Sequence, residues 1–165
     1  MSMSSTLEQY LSEQHTPYEL ISHGFSEHML EAAHASQLPV KEVVKAVVLR
    51  DGDYHLLAAI PAMNKLLLPE VSRLMGRHLE LAEENELPKL FGDCEIGAVP
   101  PVGEPFGMPI IWDDRLSGDE EIYFEAGDHR HLVHVSGRDY MKLLKNKPHG
   151  EISCAPEDVP DLSNY

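Results

Sequence analysis

The stretch Val43-Val44-Lys45-Ala46-Val47-Val48-Leu49 decides the fold. β-branched residues dominate it and Asp51-Gly52 closes it, so it reads as a strand that turns back into a second one over residues 54 to 60, the two forming a hairpin. Side chains alternate across a strand. Val43, Lys45, Val47 and Leu49 therefore share one face, and Val44, Ala46 and Val48 share the other. Lys45 is thus a charge among apolar neighbours. Its ammonium either reaches the rim along its aliphatic stem or points into a polar cleft, where an anion or a carbonyl oxygen must meet it.

Working outward toward the N-terminus, Pro39 stops an expected helix over residues 27 to 37. Ser26 is its N-cap, Glu27 lies in its first turn, and Met29, Leu30 and Ala33 form its apolar stripe. Before it come a strand over 18 to 22, a breaker at Pro17, and a weakly amphipathic helix over 5 to 14 through Leu7, Tyr10 and Leu11. Toward the C-terminus, Pro69 opens a helix carrying Val71, Leu74 and Met75, and Gly76 ends it. A strand over 78 to 82 and a short helix over 85 to 91 follow. Strands are expected at 108 to 112, 121 to 125 and 131 to 135. A last helix, capped by Ser136 with Asp139, carries Tyr140, Leu143 and Leu144. Strands and helices mix without the alternation of a doubly wound sheet. The expectation is one α+β domain over residues 1 to 147, with a mostly antiparallel, barrel-like sheet and surrounding helices. Residues 148 to 165 are acidic and aperiodic and read as a flexible tail.

A formal net charge of −15 argues against generic DNA or RNA binding, because phosphate contacts come from Lys and Arg. The distribution softens that objection. Residues 1 to 40 contain neither Lys nor Arg, whereas Lys41, Lys45, Arg50, Lys65, Arg73, Arg77 and Lys89 cluster in the middle, so a local basic face on an acidic body is open. No apolar run reaches the roughly 18 residues that span a bilayer, and the start has no signal-peptide pattern, so a cytoplasmic protein without membrane contact is expected. Cys94 and Cys154 are too few for a disulfide framework or a cysteine zinc site.

Three clusters carry chemistry-bearing residues. His129 and His131 have strand spacing that suits one metal, with His134 following, but no carboxylate completes the set, and no metal or other cofactor is expected. Cys94 has acidic flanks, Asp93 and Glu95, which raise a thiol pKa and argue against nucleophilic use. Gly97-Ala98-Val99-Pro100-Pro101 lies in the densest Gly and Pro region of the chain and lacks the lysine and helix of a phosphate loop. Its glycine lets backbone amides approach a ligand while its prolines hold them rigid, which makes a pre-organised hydrogen-bonding clamp.

Four motifs in order then carry a resemblance. Lys45 in Val44-Lys45-Ala46-Val47-Val48-Leu49, Ala59-Ile60-Pro61-Ala62, the run from Cys94 through Gly97 to Gly103, and Tyr123-Phe124-Glu125-Ala126-Gly127-Asp128-His129 together resemble the YbaK/prolyl-tRNA synthetase-associated domain family, over about residues 20 to 147. The resemblance implies a freestanding deacylase that hydrolyses the ester of mischarged tRNA, such as a small amino acid on tRNA-Pro, with an aminoacyl-tRNA synthetase as a second partner. It implies that Lys45 is the family's key lysine, and that the Gly97 to Pro101 loop holds the terminal adenosine through Gly97, Ala98, Val99, Pro100 and Pro101, with Gly103 beside it. The functional histidine is His129, or His131 two residues on.

An aminoacyl ester is already reactive, so a site needs only to orient it, polarise its carbonyl and admit water or the neighbouring ribose hydroxyl. Lys45 then holds carbonyl or phosphate oxygens, the loop amides meet the adenosine and the developing oxyanion, and His129 supplies a supporting contact. Two other readings stand beside this one. The first is a non-catalytic module of the same fold that recognises an aminoacyl-tRNA end, a nucleotide or a protein. The second is a small metallohydrolase resting on the spacing of His129 and His131.

Overall fold

The computed structural model describes residues 2–23, 33 and 37–158. The hairpin forms as expected, with β2 (Val44–Asp51) and β3 (Tyr54–Pro61) antiparallel from Val44 opposite Pro61 to Asp51 opposite Tyr54. Gly52 makes the tight turn at φ +61°, a conformation costly for other residues. β2 and β3 are two of the five strands in the largest sheet, whose order is β5 (Glu80–Leu81), β2, β3, β6 (Ile110–Asp113) and β9 (His149–Gly150). The β3·β6 and β6·β9 pairs are parallel, and the others in this sheet are antiparallel. A second sheet runs β1 (Glu19–Ser22), β8 (His131–Ser136), β7 (Glu121–Glu125). A parallel bridge between Val43 and Tyr123 joins it to the start of β2. A third, small sheet pairs β4 (Lys65–Leu66) with β10 (Ser153–Cys154).

Four α-helices surround these sheets among the described residues: α1 (Ser5–Glu13), α2 (Leu68–Met75), α3 (Leu87–Leu90) and α4 (Gly137–Leu143). The caps follow the sequence. Ser136 Oγ accepts the Asp139 N–H at the start of α4, and Gly76 ends α2 at φ +63°. The expected helix over 85 to 91 appears as a 3-10 turn, Glu84–Glu86, followed by α3. The expected helix over 27 to 37 falls mostly outside the described residues. Ala33, which is described, is helical and buried.

The two faces of β2 feed different parts of the core. Val44 packs with Leu57, Ala59, Phe124, Val133 and Tyr140, with Ala46 and Val48 against that cluster. Leu49 packs with Leu56, Ala58, Ile60, Leu66, Val71 and Ile152, with Val47 against that one. Each buried Val or Leu contributes about 1.5 to 3 kcal/mol, so the alternation within one strand ties two halves of the core together.

The reading of residues 148 to 165 as a flexible tail is corrected as far as residue 158. β9 and β10 both pair with the body, and Ile152 is completely buried. The buried carboxylate of Asp113 accepts the Ser153 hydroxyl at 2.7 Å and the Ile152 N–H at 3.2 Å, while Arg115 donates to the Ser153 carbonyl at 2.8 Å. Two-residue strands leave no periodicity to read, and their partners lie about 40 residues upstream or more.

Candidate functional site

On its edge away from β3, β2 has two partners in succession. β7 meets it at Val43, and β5 meets it at Leu49 and Arg50. Between them no described strand pairs with the edge. A cleft of about 220 Å³ opens there, lined by Ala46, Val48, Leu81, Leu87, Gly97 and Val99 among others. The wall carrying Leu81 and Leu87 is held by a small charge network: Arg50 donates to Glu80 at 2.8 Å and to Glu86 at 3.1 Å, and His55 Nε2 lies 3.0 Å from Glu86. The Glu83 N–H first, and then His55, hold the Glu86 carboxyl down to about 2.

The opposite wall is the Gly and Pro loop. Gly97 is exposed and left-handed at φ +85°, which explains glycine at this position. Of the loop residues expected at the site, Gly97 and Val99 line the cleft, whereas Ala98, Pro100, Pro101 and Gly103 are buried. These four shape the loop. The buried hydroxyl of Tyr140 donates to the Pro101 carbonyl at 2.8 Å, and a methyl group built on Gly103 would sit 2.2 Å from the Met108 carbonyl oxygen. Close backbone approach therefore demands glycine at 103.

His129 also serves the loop. Its ring is buried, its backbone is left-handed at φ +59°, and Nε2 lies 2.6 Å from the Ile96 carbonyl oxygen, immediately before Gly97. A carbonyl only accepts, so Nε2 carries the proton and donates. His131 turns elsewhere, with Nδ1 2.6 Å from the buried Asp128 carboxylate. Burial pushes Asp128 up, but the N–H groups of Arg130 and His131 and the His131 ring more than offset this and bring its pKa below the ordinary value. The two histidines thus have different partners, and among the described residues no three His, Cys, Asp or Glu side chains converge on a metal position.

Lys45 lies on the strand that forms the cleft floor, immediately before Ala46, but on the face shared with Val47 and Leu49. It is half-buried, and burial first, then the neighbouring charge of Lys65, lowers its pKa. Burial likewise pushes the Cys94 thiol up to about 12, with Asp93 adding to the effect, so Cys94 is not a thiolate nucleophile.

Sequence reading passed over two features here. The first is Glu125, 1% exposed at the end of β7, whose carboxyl is raised to about 8 by burial and by Asp128, against an opposing His129 N–H. Its place directly after the apolar run Ile122-Tyr123-Phe124 was the available signal. The second is the pair of backbone walls around Ala46 and Val48, which no side chain advertises.

Residues 26–143 match the family model described as the aminoacyl-tRNA editing domain. Among solved structures, a hypothetical protein, APE2540, superposes with a TM-score of 0.80 at 22% identity, covering 91% of this chain and 100% of that one. A candidate trans-editing enzyme for prolyl tRNA synthetase gives 0.78 at 25% identity, over 93% and 100% of the two chains. A candidate signal transduction protein from Marinobacter aquaeolei VT8 gives 0.76 at 17% identity, over 96% of this chain and 32% of that one. No curated protein matches in sequence.

Proposed function

This chain belongs to the aminoacyl-tRNA editing domain family, and on that premise we propose that it is a trans-acting deacylase that hydrolyses the ester of mischarged tRNA, a small amino acid on a tRNA such as tRNA-Pro. The observation that carries the proposal is the left-handed Gly97, held by His129 through Ile96 and set across the cleft from β2. The likeness to a candidate trans-editing enzyme for prolyl tRNA synthetase supports the same substrate class.

In this reading the loop amides at Gly97 hydrogen-bond the terminal nucleoside and the oxyanion that develops on the ester carbonyl. His129 is a positioning residue that fixes the loop. Lys45 binds a carbonyl or phosphate oxygen at the edge of the cleft, and the nucleophile is water or the neighbouring ribose hydroxyl. Editing is needed because one methylene in an apolar pocket is worth only about 1 to 3 kcal/mol. An aminoacyl-tRNA synthetase that delivers the charged tRNA is a natural partner for a body with a net charge of −15, which repels phosphate.

The cleft lining is wholly apolar in its side chains, and this favours a second reading, a non-catalytic module that holds an aminoacyl-tRNA end. A panel of mischarged tRNAs, each incubated with the full chain and followed by release of the amino acid, separates the two. Turnover of at least one member establishes the enzyme. Binding without turnover of any member establishes the module.

A further inference from the structure

We propose that α1, which precedes the matched domain at residues 26–143, is a brace for the deacylation site, with Ser4 and Asp93 as positioning residues that hold the Gly97 loop and the His129 turn in register. This rests on the aminoacyl-tRNA reading, which it deepens.

The contacts run from the helix start to the cleft wall. Ser4 is the buried N-cap of α1, and its hydroxyl accepts the Leu7 N–H at 3.1 Å. The same hydroxyl donates to Asp93 at 2.9 Å, on the segment that leads into Gly97. The Asp93 carboxylate also accepts the Thr6 N–H at 2.8 Å and the Ser5 hydroxyl at 3.2 Å, so three successive residues at the helix start converge on one side chain. Burial works against the Asp93 charge, but the Thr6 N–H and the hydroxyls of Thr6, Ser4 and Ser5 more than offset it and lower its pKa. Asp93 is therefore a full carboxylate at neutral pH, and hydrogen bonds to a charged acceptor are the strong kind.

The second grip is on the turn that carries His129. The Ser4 N–H donates to the Ala126 carbonyl at 2.8 Å. Gly127 follows at φ +104° and packs against the helix start, where a methyl group built on it would lie 3.0 Å from Ser4 Cβ and 3.3 Å from Cys94 Sγ. Loop and turn also bond to each other, through the Glu95 N–H to the Gly127 carbonyl at 2.8 Å and His129 Nε2 to the Ile96 carbonyl at 2.6 Å. Ser4 thus reaches both segments from a third element. Leu7 and Leu11 are fully buried in the main core, so the helix is anchored to the body and not to the segments it holds. Neither Ser4 nor Asp93 is among the described residues that line the cleft, so both act on a substrate only through the loop and the turn.

The test compares Ser4→Ala, Asp93→Ala and Asp93→Asn with the wild type, all as full chains and each assayed well below its own thermal midpoint, so that activity is read per folded molecule. In Ser4→Ala and Asp93→Ala, kcat for deacylation of mischarged tRNA should fall about tenfold with KM unchanged, because a displaced loop misaligns the reacting groups without touching the bound tRNA. Asp93→Asn keeps an acceptor for the Thr6 N–H and should recover part of the loss. Asp93→Ala combined with Gly97→Ala should lose less than the product of the two single losses, as residues acting through one loop do. In the free, isotope-labelled variants the Gly97 and His129 amide signals should shift. Should Asp93→Ala fail to fold, Ser4→Ala and Asp93→Asn carry the same comparison. A lower midpoint with kcat and the Gly97 amide both unmoved makes α1 a purely structural helix and overturns the proposal. A raised KM with kcat unchanged places these residues on the tRNA itself and overturns it equally. If the wild type turns over no member of a mischarged-tRNA panel, the deacylase reading falls, and the brace is decided by the Gly97 and His129 amides alone.

Discussion

Three residues near the cleft make separable predictions. Lys45→Ala removes a cation whose pKa burial and Lys65 already lower, so the thermal midpoint should stay at or slightly above that of the wild type while deacylation is lost. A melting curve paired with a deacylation assay checks this, and full activity would remove Lys45 from the mechanism. Gly97→Ala forces a side chain onto φ +85°, a strain of about 1 to 3 kcal/mol, and shifts the amides proposed to meet the substrate. Turnover should fall on the order of a hundredfold, since a small misplacement of reacting groups costs that much. Glu125 concerns stability instead. An ordinary glutamate loses its proton near 4.5, whereas this one keeps it to about 8, so between those values the native state binds more protons than the unfolded state and stability falls as pH rises. Glu125→Gln should match the wild type near pH 4.5 and exceed it above pH 8 by an amount on the order of a few kcal/mol, read from denaturant unfolding at the two pH values.

At the scale of elements, the cleft is a gap between two strand pairings, and its loop wall is stiffened from below. Val99 belongs both to the core and to that wall, being 7% exposed and packed in the cluster around Val44 and Phe124. Val99→Ala should therefore cost stability of about 1 to 2 kcal/mol, with a smaller effect on turnover than Gly97→Ala. The reverse ranking of the two variants in a kinetic comparison would mean that side-chain contact, and not backbone approach, is what the loop provides. The charge network around Arg50 plays the matching part on the other wall, holding Leu81 and Leu87 at a fixed distance from β2.

For the whole molecule, the segment after Pro148 closes the large sheet and caps the lower half of the core. Deleting residues after Lys147 exposes the pocket of Ile152, worth about 1.5 to 3 kcal/mol, and strips Asp113 of the Ser153 and Ile152 donors, worth about 1 to 3 kcal/mol more. Against a total of about 5 to 15 kcal/mol this is a large loss, and thermal denaturation of the truncated chain should show it as a midpoint many degrees lower. The sequence by itself determined the hairpin of β2 and β3, the caps at Ser136 and Gly76, the alternation that sends Val44 and Leu49 into different parts of the core, and the four motifs of the editing family. All of these rest on neighbours within a few residues or on a motif read in order. Tertiary structure alone decided that His129 and not His131 meets the loop, that Lys45 is half-buried near the charge of Lys65, that residues 149 to 158 dock, and that Glu125 is buried beside Asp128. The physical reason is the same in each case: these outcomes depend on partners far along the chain, as with His129 and Ile96 or Ser153 and Asp113, which no local periodicity encodes.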